Sequence, residues 1–256
     1  MKRWDIVVSV LLFILGALCY VFFDLRPITI LQDALANELL CGFISRFGIS
    51  LLFGWLLYNY GGRYLFIFNR DFPKMLLWAL PCFMVALVNF PYSAIISSEA
   101  SIARSDLMGL YILYVIGVAV LEEFIFRGSL TILFSDLLRN SRHKPLFLVL
   151  IGAGIFALFH LSNILFGADI GLTLLQCIYT FLIGAMLMVT IIKTKNIWLC
   201  ILIHAIFDFG GLLIIQIGLG NPWDLVFWIL TIVSGVLAAG HIIYSLVKLE
   251  KDYAQR

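Results

Sequence analysis

Charge is scarce in this sequence: only 12% of its 256 residues are Asp, Glu, Lys or Arg, while 63% are hydrophobic. A soluble domain carries about 25% charged residues, so there is too little polar surface here to clothe one, and a soluble enzyme is excluded. The formal net charge is +2, with the basic residues dispersed rather than gathered into a stripe, which argues against nucleic acid as the main partner. There are five cysteines, an odd number, all within apolar stretches and without metal-ligand spacing. A disulfide framework or zinc–thiolate site is therefore not expected. GxxxxGK[ST] and GxGxxG are absent, so nothing points to a nucleotide.

What fills the chain instead is apolar runs of spanning length. They cover residues 6–23, 39–60, 75–96, 107–126, 145–166, 170–192, 197–218 and 225–247. A hydrocarbon core of ~30 Å needs about 20 residues at a rise of 1.5 Å each, and unpaired backbone polar groups are not tolerated in lipid, so these runs are expected to be helices. The first run follows Lys2 and Arg3 but is long for a signal peptide, and it reads as a retained span. The expected fold is all-α: a multi-pass membrane bundle of about eight transmembrane helices, residues 1–256 forming one domain. Loop charge sets its orientation. With the N-terminus inside, Arg63, Arg70, Lys74, Arg139, Arg142, Lys144, Lys193, Lys195, Lys248, Lys251 and Arg256 fall on the cytoplasmic side. The opposite side has only Arg26 and Arg104 among many acids. Both termini are thus expected to be cytoplasmic. Pro81 and Pro91 are expected to kink the third span, and residues 24–38 and 127–144 to lie partly along the interface as amphipathic helices.

Six ionisable residues sit well inside apolar segments: Glu122, Glu123, Arg127, His160, His204 and Asp208. Such residues cost about 2.5–3.5 kcal/mol each on insertion scales, so they are usually paired, inward-facing and functional. Glu122 and Glu123 are adjacent, about 100° apart around a helix. Glu123 and Arg127 are i and i+4, the spacing at which an acid N-terminal to a base pairs well. Arg127 is expected to hold Glu123 as an ion pair, leaving Glu122 free for general-base work. His204 and Asp208 share a helix face, and His160 stands on the preceding motif-bearing span. One glutamate and two histidines could converge on a water and a peptide carbonyl. Glu122, helped by His160, would deprotonate the water, and His204 would donate to the developing oxyanion. A purely structural polar network is the competing reading, but membrane hydrogen bonds contribute only about 0.6–2 kcal/mol each. Arg46, near the outer end of its span, is expected to snorkel to the interface. Gly184 is expected to permit close helix approach.

Glu122-Glu123-Phe124-Ile125-Phe126-Arg127 has the form EExxxR, Phe156-Ala157-Leu158-Phe159-His160 the form FxxxH, and His204-Ala205-Ile206-Phe207-Asp208 the form HxxxN/D. In that order these resemble the CAAX protease and bacteriocin-processing (Abi) family of intramembrane endopeptidases, over about residues 107–210. The resemblance implies a glutamate-activated water, with Glu122 the base, Glu123 and Arg127 its structural partners, and His160 positioning water. It also implies an oxyanion site at His204 and residue 208. Where the prenyl-protein endopeptidase has Asn, this chain has Asp208. An ionised Asp cannot donate a hydrogen bond, so Asp208 either stays protonated or orients His204.

The function expected is therefore hydrolysis of a peptide bond in a membrane-associated protein or peptide, near the cytoplasmic face of a cell membrane. A pheromone, bacteriocin precursor or membrane-protein fragment is expected ahead of a prenylated CAAX protein. No cofactor is expected. Zinc on the Glu and His residues is the competing chemistry, disfavoured by the nearby arginine and the absence of HExxH. The alternative function is a non-catalytic bacteriocin-immunity or scaffold protein on the same fold. A proton-coupled carrier is a third, opposed by the absence of broken helices in two matching halves.

Overall fold

A computed structural model describes residues 3–23, 25, 27–68 and 71–255. Lys2, Asp24, Arg26, Arg70 and Arg256, which enter the charge asymmetry, lie outside the described residues. The chain is a multi-pass membrane bundle of helices. Among the described residues, six helical stretches are long and apolar enough to cross a membrane: Ala34–Leu65, Ser105–Leu137, Lys144–Phe166, Ile170–Thr194, Ile197–Ile217 and Leu225–Ala254.

The regular elements are α1 (Arg3–Phe22), α2 (Ala34–Leu57), α3 (Phe72–Trp78), α4 (Leu80–Val88), α5 (Tyr92–Ile96), β1 (Ala100–Ile102), α6 (Met108–Glu123), α7 (Leu130–Leu137), α8 (Lys144–Phe159), α9 (Ile170–Thr194), α10 (Ile197–Ile217), β2 (Gly218–Gly220) and α11 (Leu225–Ala254). β1 and β2 pair antiparallel, Ser101 opposite Leu219, a small ribbon that apolar periodicity does not announce. The helix α6 lies at the centre, its most apolar window 67% buried, whereas that of α11 is only 22% buried and faces outward.

The first expected run is helical, as α1, Arg3–Phe22; the third differs from expectation. The third run folds as α3, α4 and α5 rather than one helix. Pro81 stands in the first turn of α4, where its missing N–H is harmless but an uninterrupted helix would need it. Pro91 disfavours helical backbone at Phe90, and α4 stops at Val88. That stop frees the Asn89 side chain, whose Nδ2 donates to the Phe207 carbonyl of α10 at 2.8 Å.

Of the two segments expected to be amphipathic, residues 27–33 form turns and bends ahead of α2, and residues 130–137 are helical, as α7. Asp33 caps α2, accepting from Ala36 N at 2.8 Å and from Arg104 Nη2 at 2.9 Å. These two contacts hold its carboxyl below the usual value. Residues Leu130–Leu133 are buried: α7 extends the fourth span inward past its expected end at 126. Glu122 sits near the middle of Ser105–Leu137, and His160 lies far along the helix beginning at Lys144. His204 is only seven residues into α10, but α10 itself begins inside the protein, with Thr194 and Asn196 of the preceding turn buried. The three motif helices therefore meet at one level although they start at different ones.

Close approach sets α10 against the α4–α5 break. A Cβ on Gly210 would lie 2.8 Å from Phe90 N and 2.9 Å from the Asn89 carbonyl carbon, and backbone cannot step aside cheaply. Gly210→Ala is expected to destabilise by about 1–3 kcal/mol, read as a lower thermal midpoint in detergent. An unchanged midpoint would show that the two elements are not in contact. Gly184 does allow close packing, as expected: its Cβ would meet Ala153 Cα of α8 at 3.2 Å.

Candidate active site

The site is built where α6 passes α10. Glu122 and Glu123 project in different directions, yet both reach His204, because an imidazole ring has polar atoms on two edges. Glu123 Oε1 lies 2.7 Å from Nδ1, and Glu122 Oε2 lies 3.6 Å from Nε2. Since an ionised carboxylate only accepts, Nδ1 carries a proton and donates it to Glu123. Nε2 is the nitrogen turned toward Glu122, and Asp208 Oδ2, one turn along α10, stands 3.4 Å from it.

Directly after Glu123 the helix widens into a π-helical turn, Phe124–Ser129. Such turns recur at functional sites inside α-helices. Ser129 Oγ compensates the altered ladder by donating to the Ile125 carbonyl at 2.6 Å. Arg127 lies on this turn, its Nη1 2.9 Å from Glu123 Oε1, the pairing expected from the i, i+4 spacing. The contact has ion-pair distance without hydrogen-bond alignment, for Nε, Nη1 and Nη2 of Arg127 all lack a hydrogen-bond partner. The guanidinium lies over the Phe156 ring, 4.1 Å from its centroid, which supplies a cation–π contact in place of further acceptors.

Burial is nearly complete. The side chains of Glu123, Arg127, His204 and Glu122 are 0–6% exposed, while that of Asp208 is 17% exposed. Asp208 is thus the carboxylate nearest an open side. Its backbone is clamped: beside the Asn89 bond to the Phe207 carbonyl, Tyr111 Oη donates to the Phe209 carbonyl at 2.6 Å.

His160 is placed differently from the other five residues. Its Nδ1 meets the Phe156 carbonyl at 2.9 Å, and its ring stands edge-on to Phe156, centroids 4.9 Å apart. The His204 ring lies on the same Phe156, at 6.0 Å. Phe156 is therefore a neighbour the two histidines share, and among the described residues no hydrogen bond or ion pair joins His160 to Glu122 or His204. Glu122, Glu123, Arg127, His204 and Asp208 form one connected polar cluster, with His160 at its aromatic rim.

Residues 104–210 match the family model for type II CAAX prenyl endopeptidases, Rce1-like. This segment is Rce1-like. The match covers less than half of the chain but contains all three motifs, and it agrees with the resemblance those motifs carry. At family level it supports a CAAX-type intramembrane protease. Comparison with curated proteins and with solved structures finds no match.

Three contributors to the site lie outside the motifs and escaped sequence reasoning. Tyr111, inside the Rce1-like segment, and Asn89, outside it, fix the backbone of α10. Tyr20 of α1 donates from its hydroxyl to Glu122 Oε1 at 2.6 Å. Arg46 lies twelve residues into α2, roughly 18 Å from its start, since that helix begins at Ala34 rather than 39. Its guanidinium lies against the rings of Tyr20 and Tyr114, 5.8 and 5.2 Å from their centroids, contacts the sequence does not announce.

Proposed function

We propose that this protein is an intramembrane endopeptidase that hydrolyses a peptide bond in a membrane-associated protein or peptide with a water activated by Glu122. The observation that carries the reading is the arrangement around His204. One nitrogen is committed to Glu123, while the other has Glu122 Oε2 at 3.6 Å and Asp208 Oδ2 at 3.4 Å. A water held by Glu122 Oε2 gives its proton to that carboxylate as its oxygen attacks the scissile carbonyl. The carbonyl electron pair moves onto oxygen, and a proton on His204 Nε2 donates to the oxyanion formed. When the intermediate collapses, the carbon–nitrogen bond breaks and the proton taken up by Glu122 passes to the leaving amine.

In this scheme His204 acts as the imidazolium, with a proton on each nitrogen: Glu123, held by Arg127, accepts from Nδ1 and fixes the orientation of the ring. Of the two roles open to Asp208, the 3.4 Å contact favours orienting His204. His160, which shares the Phe156 ring with His204, helps to position the water. The scheme uses no metal. A dication would sit against the Arg127 guanidinium, and His204 Nδ1 already has an acceptor in Glu123. Cleavage is placed near the cytoplasmic face, with both termini on that side.

The test is cleavage of quenched peptides by the purified protein in liposomes, with and without a prenylated cysteine, and with and without chelator. Cleavage unchanged by chelator is the expected result. Activity lost with chelator and restored by zinc would replace the water scheme with a metal one. The prenylated and plain peptides decide whether the substrate class named for the matched family carries over to this chain. Inactivity of the wild type on every peptide, with a cellular phenotype that survives Glu122→Gln, would favour an immunity or scaffold role instead.

A further inference from the structure

The two oxygens of Glu122 are not equivalent. Oε2 faces His204, whereas Oε1 accepts the Tyr20 hydroxyl at 2.6 Å, a short charge-assisted bond. Tyr20 belongs to α1, 102 residues away in sequence and outside the segment that matches the family model. Its ring is held on two sides. It packs edge-on against Phe159, centroids 5.3 Å apart at 65°, and the Arg46 guanidinium lies 5.8 Å from its centroid. Arg46 also donates from Nη1 to the Gly42 carbonyl of its own helix at 3.2 Å. Among the described residues it has no carboxylate within ion-pair distance, and its Nε is buried without a hydrogen-bond partner. A cation deep in a membrane protein without a carboxylate partner is costly. This one is stationed against the ring whose hydroxyl holds Glu122.

We infer that Tyr20 is a positioning residue for Glu122, and that Arg46 holds Tyr20 in place, so that α1 and α2 complete the site built on α6 and α10. A carboxylate base must offer one defined lone pair to the water it deprotonates, and a carboxyl group free to rotate divides its time between two oxygens. Pinning Oε1 leaves Oε2 as the oxygen presented beside His204 Nε2. The Arg46 charge near the far face of the Tyr20 ring favours negative charge on the Glu122 side without forming an ion pair that would consume the carboxylate. This inference rests on the endopeptidase reading, and its test keeps the two separable.

Tyr20→Phe keeps the ring, its packing on Phe159 and the Arg46 contact, and removes only the hydroxyl. It is expected to lower kcat ten- to a hundredfold while KM stays within twofold and the thermal midpoint is unchanged. Arg46→Gln is expected to lower kcat in the same direction by less, and to add little in the Tyr20→Phe background. An activity-independent measurement accompanies these: 3-fluorotyrosine placed at position 20, its fluorine resonance compared between the otherwise native protein and Glu122→Ala, which removes the acceptor. A resonance that moves supports the contact. Wild-type cleavage with kcat unchanged in Tyr20→Phe would overturn the positioning role alone, as would a resonance indifferent to Glu122. A wild type inactive on every peptide would overturn the endopeptidase reading, and the positioning role with it.

Discussion

Glu122→Gln is expected to lower kcat by about a hundred- to ten-thousandfold, the contribution of a positioned general base, while leaving the protein folded. The substitution keeps the size of the side chain and an oxygen able to accept the Tyr20 hydroxyl at Oε1. What disappears is the ability of the other position to take a proton from water. Binding should change little, since the group lost acts on the water rather than on the peptide. His204→Ala is expected to cost a comparable factor, about 10²–10³ if its donation to the oxyanion is the main loss. It should also reduce stability, because Glu123 then loses its 2.7 Å partner. Single-turnover cleavage in liposomes, with thermal unfolding recorded on the same samples, separates the two effects. A folded Glu122→Gln variant cleaving at the wild-type rate would rule out Glu122 as the base.

The sequence announces this site because burying charge in lipid is so costly that six ionisable residues in apolar runs stand out without any structure. The i, i+4 rule then identifies Glu123 as the carboxylate paired with Arg127, and the prolines mark where the third run breaks. The same reasoning fails at Tyr20. One hydroxyl in a stretch of Leu, Ile and Phe looks like membrane surface, and only the three-dimensional approach of α1 to α6 turns it into a hydrogen-bond donor. The ring contacts of Arg46 are equally silent in the sequence, because Tyr20 and Tyr114 come from other helices. The π-helical turn at Phe124–Ser129 leaves no trace in hydrophobic pattern, since every residue from Leu121 to Leu133 is buried and periodicity has no exposed face to register. The ring contacts of His160 are no more legible: spacing alone cannot reveal that it and His204 both stand edge-on to Phe156.

The ion pair behind His204 should yield the largest stability effect. Glu123 and Arg127 are 0% and 1% exposed, and breaking a buried pair by removing one partner costs about 3–5 kcal/mol because the other charge is left uncompensated. Glu123→Leu is expected to be the more damaging. It strands a guanidinium whose three nitrogens have no hydrogen-bond acceptor, leaving only the Phe156 face. Arg127→Leu leaves Glu123 still receiving the His204 Nδ1 proton and should cost less. The double replacement Glu123→Leu/Arg127→Leu removes both charges and should recover most of the stability, since apolar residues often replace a buried pair at little cost. It should not recover activity, because His204 would have no acceptor at Nδ1 to orient the ring and favour its charged form. Unfolding by SDS titration from mixed micelles, run for the two single variants and the double, measures the coupling directly. Single variants as stable as the wild type would show that the pair contributes nothing to folding. A stable double variant that still cleaves would show that Glu123 does not act through His204, and the arrangement around that ring would have to be read again from Glu122 and Asp208 alone.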